Sequence, residues 1–418
     1  MPTADPPAPP RGGGAGAVGR DQHPRRTIIV LGMLSTFGPI SLDLYLPSLP
    51  ELATDLGTST SSAQLTITAC LLGLAVGQLI AGPLSDQFGR RRPLLIGLVC
   101  YLLTSLACAF APTIELLLVL RLLQGLSGAA GLVIARAIAR DLYEGRALLI
   151  FFSRLILVSG LAPVVAPLIG GQLARVMDWR GIFVVLAGFG LVLLLAGLFG
   201  VPESLPPQRR SAGGLRDNII GFRELLGDRL FLGAAFSSGL AGAAMFAYIA
   251  GSTFVLQRVY GMSPQGFSYA FGVNALGIMV MSQVGARLAR SRPAVQVLGL
   301  GLGMNLIGAI GVLVSVLTGA GLGPLLIALW VMVSAVGLVF PTATTLALAD
   351  YPHQAGRASS LLGLGQYIAG ALVAPLVGLA GEDSAVPMGV VVVGASLSAS
   401  LLFRFLVVAT LRRRETGA

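Results

Sequence analysis

The stretch GPLSDQFGRRRPLL, from Gly82 to Leu95, closes one long apolar run and opens another. Into that short gap it packs a carboxylate, Asp86, and three consecutive arginines, Arg90, Arg91 and Arg92. Membrane-spanning helices need roughly 20 apolar residues each. A charged turn between two runs of that length reads as a hairpin loop in a bundle that crosses a bilayer repeatedly.

Working outward from the hairpin, composition supports that class. Of 418 residues 55% are hydrophobic and 11% charged, where a soluble domain carries roughly 25% charged. So few charges cannot solvate a water-facing surface, and lipid must cover much of it. The net charge of +10 comes from arginine alone among the basic residues. It fits anchoring loops on a cytoplasmic face and calls for no nucleic acid. Cys70, Cys100 and Cys108 all fall in apolar runs, match no metal-binding spacing and read as small buried hydrophobes.

The pattern predicts an all-α integral membrane protein of twelve transmembrane helices: 27–48, 63–84, 93–111, 113–136, 147–174, 181–201, 229–256, 266–287, 293–317, 322–348, 357–379 and 386–410. The expected organisation is a disordered cytoplasmic tail, 1–26, and a first six-helix bundle, 27–201. A cytoplasmic linker, 202–228, a second bundle, 229–410, and a short tail, 411–418, follow. RELLGDR, at the end of the linker, is expected to form a short surface helix. With the N-terminus inside, 22 of the 28 arginines fall in cytoplasmic segments and three in outer loops. That asymmetry places both termini in the cytoplasm. A faint repeat links the halves: Asp141 precedes Gly145-Arg146-Ala147, and Asp350 precedes Gly356-Arg357-Ala358. Two pseudo-symmetric halves that rock about a central site would produce such a pattern.

Two charges lie where lipid does not tolerate them. Asp43 is in the first span and Arg121 in the fourth, both in the outer half of the bilayer by helix rise. A charge near mid-membrane costs at least ~2.5 kcal/mol, so each needs a partner or a watered cavity. They are either a static ion pair or a functional couple in which Asp43 exchanges a proton for ligand while Arg121 tunes it. Gln124 and Gly125 follow Arg121 on one helical face. Pro39 should kink the first span by denying a hydrogen bond to the Ser35 carbonyl. Gln78, Asn274, Gln366, Tyr248 and Tyr367 are further candidates to line a cavity. Glu115 reads as a solvated cap at a helix start and Arg154 as a side chain that snorkels to headgroups. SGLAPVVAPLIGG, Ser159 to Gly171, sets Pro163, Pro167, Gly170 and Gly171 in one bent, narrow helix, either ordinary kinked packing or a seam that seals one side.

These motifs resemble the major facilitator superfamily, and within it the bicyclomycin/chloramphenicol-resistance (Bcr/CflA) drug:proton antiporters. The likeness covers nearly all of residues 27–410. Gly82, Leu84, Asp86, Gly89, Arg90 and Arg91 match the family's loop between spans two and three; Gln87 departs from it where a basic residue is common. Arg121, Gln124 and Gly125 match R-x-x-Q-G in span four, which the resemblance ties to proton coupling. Ala166-Pro167 and Gly170-Gly171 follow the antiporter signature of span five with one small residue exchanged. Asp43 to Pro50 matches the D-x-Y-L-P-x-L-P of the narrower group, which makes Asp43 the membrane acid. The second half keeps only a remnant of the loop motif, Gly285 to Arg292, without its aspartate.

The resemblance implies a secondary active multidrug exporter in a bacterial cytoplasmic membrane. It would exchange protons for small amphiphilic compounds by alternating access, as a monomer among lipids. The alternative is an exporter or facilitator of an endogenous metabolite or sugar on the same scaffold. An enzyme would need clustered His, Cys or acidic residues near one interface, whereas His23 lies in the tail and His353 alone in a loop. No catalytic residue, metal or cofactor beyond the coupling proton is expected, and without a P-loop no direct ATP-driven pumping.

Overall fold

Inside lipid every backbone N–H and C=O must be satisfied within the chain, which leaves long apolar runs the helix as their solution. The computed structural model describes residues 24–143, 145–210, 224–351, 355–378 and 384–416, and among them there is no strand. Ten helices are individually long and apolar enough to cross a membrane. A bent first pair makes the eleventh crossing, and Gly145–Leu173 is the twelfth. Several start on short polar side chains that satisfy a first-turn N–H. Ser59, Thr113, Asp178, Asp228 and Ser263 cap spans two, four, six, seven and eight.

The ends differ from the expected ones where polar residues extend a helix. The second span runs Thr60–Phe88 and the fourth Ile114–Leu142, so the fourth helix continues past Arg136, its expected end, and carries Arg140 as well. Glu115 sits exposed in the fourth span's first turn, as expected. Cys70 and Cys108 are buried, but Cys100 is exposed on an outward helix face. The tail 1–23, residues 211–223 of the linker and the side chains of Arg146, Arg154 and Arg357 lie outside the described residues, and the expected RELLGDR helix falls partly among them.

The first span is not one rod. It runs as Pro24–Leu34 and Phe37–Asp43, then a tight turn at Leu46–Ser48 and a last helix, Leu49–Asp55. The two parts meet at 45° across Ser35–Thr36. Pro39 explains the position, because its ring clashes with the carbonyl four residues back, that of Ser35.

In the first half the second span packs on the fourth and the third on the sixth. A Cβ on Gly73 would strike the Leu122 carbonyl, and one on Gly125 the Cys70 carbonyl, so spans two and four cross backbone against backbone. In the second half the seventh span packs on the eleventh and twelfth, and the ninth on the tenth. Spans two and five of the first half meet spans eleven and eight of the second.

The side-chain bonds joining the halves gather toward the face remote from both termini. Gln64 Nε2 donates to the Ala250 carbonyl (3.2 Å), Thr68 Oγ1 to Ala371 (3.2 Å) and Gln265 Nε2 to Gly171 (2.9 Å). Arg258 Nη2 reaches the Pro50 carbonyl (3.2 Å) and Thr54 Oγ1 (2.7 Å). The remote end of the interface is therefore sealed.

Candidate functional site

A cavity of ≈ 180 Å³ lies between the halves at mid-height. The first span supplies Gly38, Pro39, Leu42 and Asp43, which fall on one helical face. The second half answers with an aromatic wall of Phe246, Tyr248, Phe271 and Tyr367. Asn274 Nδ2 donates to Tyr248 Oη (2.7 Å), and the Tyr248 ring stacks on Phe271 at 5.5 Å and 22°. Four of the fifteen lining residues carry a polar side chain: Asp43, Tyr248, Asn274 and Tyr367. Asp43 is 5% exposed, and among the described residues nothing pairs or hydrogen-bonds with its carboxylate.

Arg121 is elsewhere. Its guanidinium is fully buried within the first half, where Nη1 donates to the Ser41 carbonyl (3.1 Å) and to Gln124 Oε1 (2.5 Å). Its Nε reaches the Thr66 carbonyl (3.4 Å), and the group lies 4.4 Å from the Tyr45 ring centroid and 5.5 Å from that of Phe183. Gln124 passes the chain of bonds to Ser105 Oγ (2.7 Å). One cation thus braces spans one, two, four and six, and through Gln124 span three.

Equal height therefore does not make Asp43 and Arg121 partners: the expected pair, static or functional, does not form. Residues two apart on a helix point about 200° apart. Ser41 and Tyr45 face Arg121, so Asp43, two residues from each, faces the cavity. Arg121 and Gln124 consequently do not line the cavity. Neither does Gln366, whose Cγ lies near Gly242 between the seventh and eleventh spans. Asp43, Tyr248, Asn274 and Tyr367 do come together. Gln78 stays outside the lining, its Oε1 beside Gly363.

The hairpin at residues 82–95 forms a clamp at the face bearing the termini. Arg90 pairs with Asp86, one turn back, donates Nη1 to Ser85 Oγ (2.9 Å), and reaches Asp141 Oδ2 on the fourth span through Nε (2.8 Å). Ser204 Oγ also donates to Asp141 Oδ2 (2.9 Å). Gly89 turns the chain at φ +89°, where an L side chain is strained. That turn aims the N–H groups of Arg90 and Arg91 at the Glu203 carboxylate (2.8 and 3.3 Å). Arg91 Nη2 donates to the Leu198 carbonyl (2.8 Å). Gly82 lies against Val133, with room for a Cβ. Burial works against the charged form of Glu203. The N–H groups of Leu205, Arg90 and Arg91 and the Arg210 guanidinium outweigh it and hold the carboxyl below its usual range. A depressed carboxylate stabilises above its unfolded pKa and loses that contribution as pH falls through its folded value. The Glu203 end of the clamp therefore loosens only in acid.

In the fifth span Pro163 lines the cavity and Pro167 is buried. Gly170 presses on the Leu44 carbonyl, where the helix Phe37–Asp43 ends, and Gly171 faces Ser268 of the eighth. The proline–glycine stretch thus sits on the seam between the halves. Sequence reasoning missed Glu203 and Ser204, although PES directly after a span is a carboxylate in a proline turn at a membrane face. It also missed Tyr45 and Phe183, since nothing in composition says which aromatic covers a buried cation.

With this geometry in view, the comparisons with known proteins are direct. Residues 29–374 match the family described as Major Facilitator Superfamily. The chain is 40% identical over 376 residues to an uncharacterized MFS-type transporter, YdgK, of Bacillus subtilis (strain 168), covering 90% of this chain and 93% of that one. It is 32% identical to a bicyclomycin resistance protein homolog of Haemophilus influenzae, with 93% and 97% covered. The solved nucleoside transporter NupG superposes with a TM-score of 0.72 over 91% of this chain and 98% of that one, at 14% identity, a likeness of fold alone. This chain belongs to the Major Facilitator Superfamily, as a multi-pass membrane transporter of its bicyclomycin/chloramphenicol-resistance group.

Proposed function

We propose that the chain is a proton-driven exporter of small amphiphilic compounds across a bacterial cytoplasmic membrane. Halves 27–201 and 229–410 rock about the central cavity to expose it to one side at a time. The observation that carries the reading is Asp43, an unpaired carboxylate in an otherwise apolar, aromatic-walled cavity on the seam. A proton and a cationic ligand are the two charges that can neutralise it, and competition between them couples their fluxes. The apolar lining suits amphiphiles better than sugars, which need a dense set of donors and acceptors. In reconstituted vesicles, tetraphenylphosphonium and chloramphenicol should move against their gradients only when a pH gradient is imposed. Equal flux without it would identify a facilitator instead.

With both termini cytoplasmic, the sealed remote face is the outer one. In a background lacking Cys70, Cys100 and Cys108, Thr58→Cys and Ser384→Cys should react with an impermeant maleimide outside intact cells. Gln208→Cys should not. Labelling of Gln208→Cys from outside overturns the orientation.

In this scheme the Arg90 clamp holds the inner ends of spans two, three and four together. Asp86 is 48% exposed and Asp141 17%. An exposed pair contributes on the order of 1 kcal/mol or less, whereas breaking a buried one costs about 3 kcal/mol. Asp86→Asn should leave melting temperature and expression nearly intact while slowing turnover, and Asp141→Asn should lower the melting temperature. Unchanged turnover in Asp86→Asn returns that residue to a topological role.

A further inference from the structure

Arg136 belongs neither to the cavity wall nor to the Arg90 clamp. It stands on the fourth span with an exposed side chain, and its charged surroundings hold another cation, Arg140, and no carboxylate among the described residues. Its span locates it. Gly131 packs against the Leu34 carbonyl and the Phe37 ring of the first span. At 1.5 Å per residue, Arg136 lies about 7.5 Å from Gly131 toward the face bearing the termini. Next to Phe37, Gly38 adjoins the Tyr367 hydroxyl, at 3.7 Å from where its Cβ would be. Tyr367, from the other half, lies within electrostatic reach of both Arg136 and Asp43. Asp43 is about 7.5 Å beyond Gly38 in the opposite direction.

From mid-membrane toward the termini, the order is therefore Asp43, the Tyr367 hydroxyl, Arg136. Along that line stand an anion and a neutral donor-acceptor on the cavity wall and, beyond the cavity lining, a cation with no carboxylate about it among the described residues. We infer that Asp43 and Arg136 are the two charged ends of one binding passage, which selects zwitterionic amphiphiles with an ammonium for Asp43 and a carboxylate for Arg136. The inference rests on the reading that the central cavity is the substrate site. An arginine that served only lipid headgroups would have no electrostatic reach to Tyr367 across the seam, and it would not distinguish ligands by their far-end charge.

The test uses norfloxacin, which carries a piperazine ammonium and a ring carboxylate at opposite ends, and its ethyl ester, which keeps only the ammonium. Fluorescence polarisation on detergent-solubilised protein reads both affinities. The parent should prefer the acid over the ester by roughly tenfold, the scale of one charge-assisted contact. Arg136→Gln should reduce that ratio to about one, and Arg136→Lys should keep part of it because the charge remains. A parent that binds the two alike, that fails to bind norfloxacin, or that keeps its preference in Arg136→Gln overturns the inference. Proton-driven export of the ester in vesicles would survive each of those results, so the export reading stands or falls separately.

Discussion

Asp43→Asn should abolish uphill export of tetraphenylphosphonium from vesicles carrying an imposed pH gradient, while downhill exchange of chloramphenicol should persist. Asp43 is the one carboxylic acid among the residues lining the cavity, and no cation among the described residues pairs with it. Asparagine keeps the shape and loses both the proton and the charge. A neutral ligand held by the apolar wall and the Tyr248–Asn274 pair keeps its contacts. A cation loses its counter-charge, and the proton loses its carrier. Undiminished pH-driven export in Asp43→Asn would move coupling to another group.

Arg121→Ala produces the larger structural loss. Removing an arginine from mid-membrane relieves roughly 2.5–3.5 kcal/mol on insertion scales. Against that stand three hydrogen bonds from a charged donor, about 1.5–3 kcal/mol each, and a desolvated cation–π contact of ~2 kcal/mol. The balance is destabilising by roughly 3–8 kcal/mol, visible as a lower yield and melting temperature in detergent. Ser41, whose carbonyl Arg121 holds, is two residues from Asp43, so coupling should deteriorate as the brace loosens. Arg121→Lys should fall between, since it retains charge but not the guanidinium fork or its stacking. An Arg121→Ala protein with the parent's melting temperature and no coupling would make Arg121 a direct partner in proton movement.

The contrast between these two residues shows what the sequence could say. Apolar run length and charged turns placed all twelve spans, because hydropathy and loop charge are local properties. Pro39 located the break of the first span for the same reason: its clash is with a carbonyl four residues away. Asp43 was legible as a charge out of place, and so was Arg121. Their separation was not, because height comes from counting residues, whereas azimuth depends on which neighbours each helix face meets. The i, i+4 pairs Ser41/Tyr45 and Pro39/Asp43 held that information, but only the packed structure says which pair looks inward. Arg136 escaped for a related reason. Counted at the cytoplasmic end of its span, it served only orientation; on the longer helix it comes within electrostatic reach of Tyr367.

Substrate-induced proton release tests the central claim most directly. Detergent-solubilised protein in weak buffer, titrated with tetraphenylphosphonium near the midpoint of its release profile, should discharge protons as ligand displaces them from Asp43. Asp43→Asn should bind more weakly and release none. Equal release per bound ligand from parent and Asp43→Asn would contradict the account and leave Asp43 a structural residue of the first span.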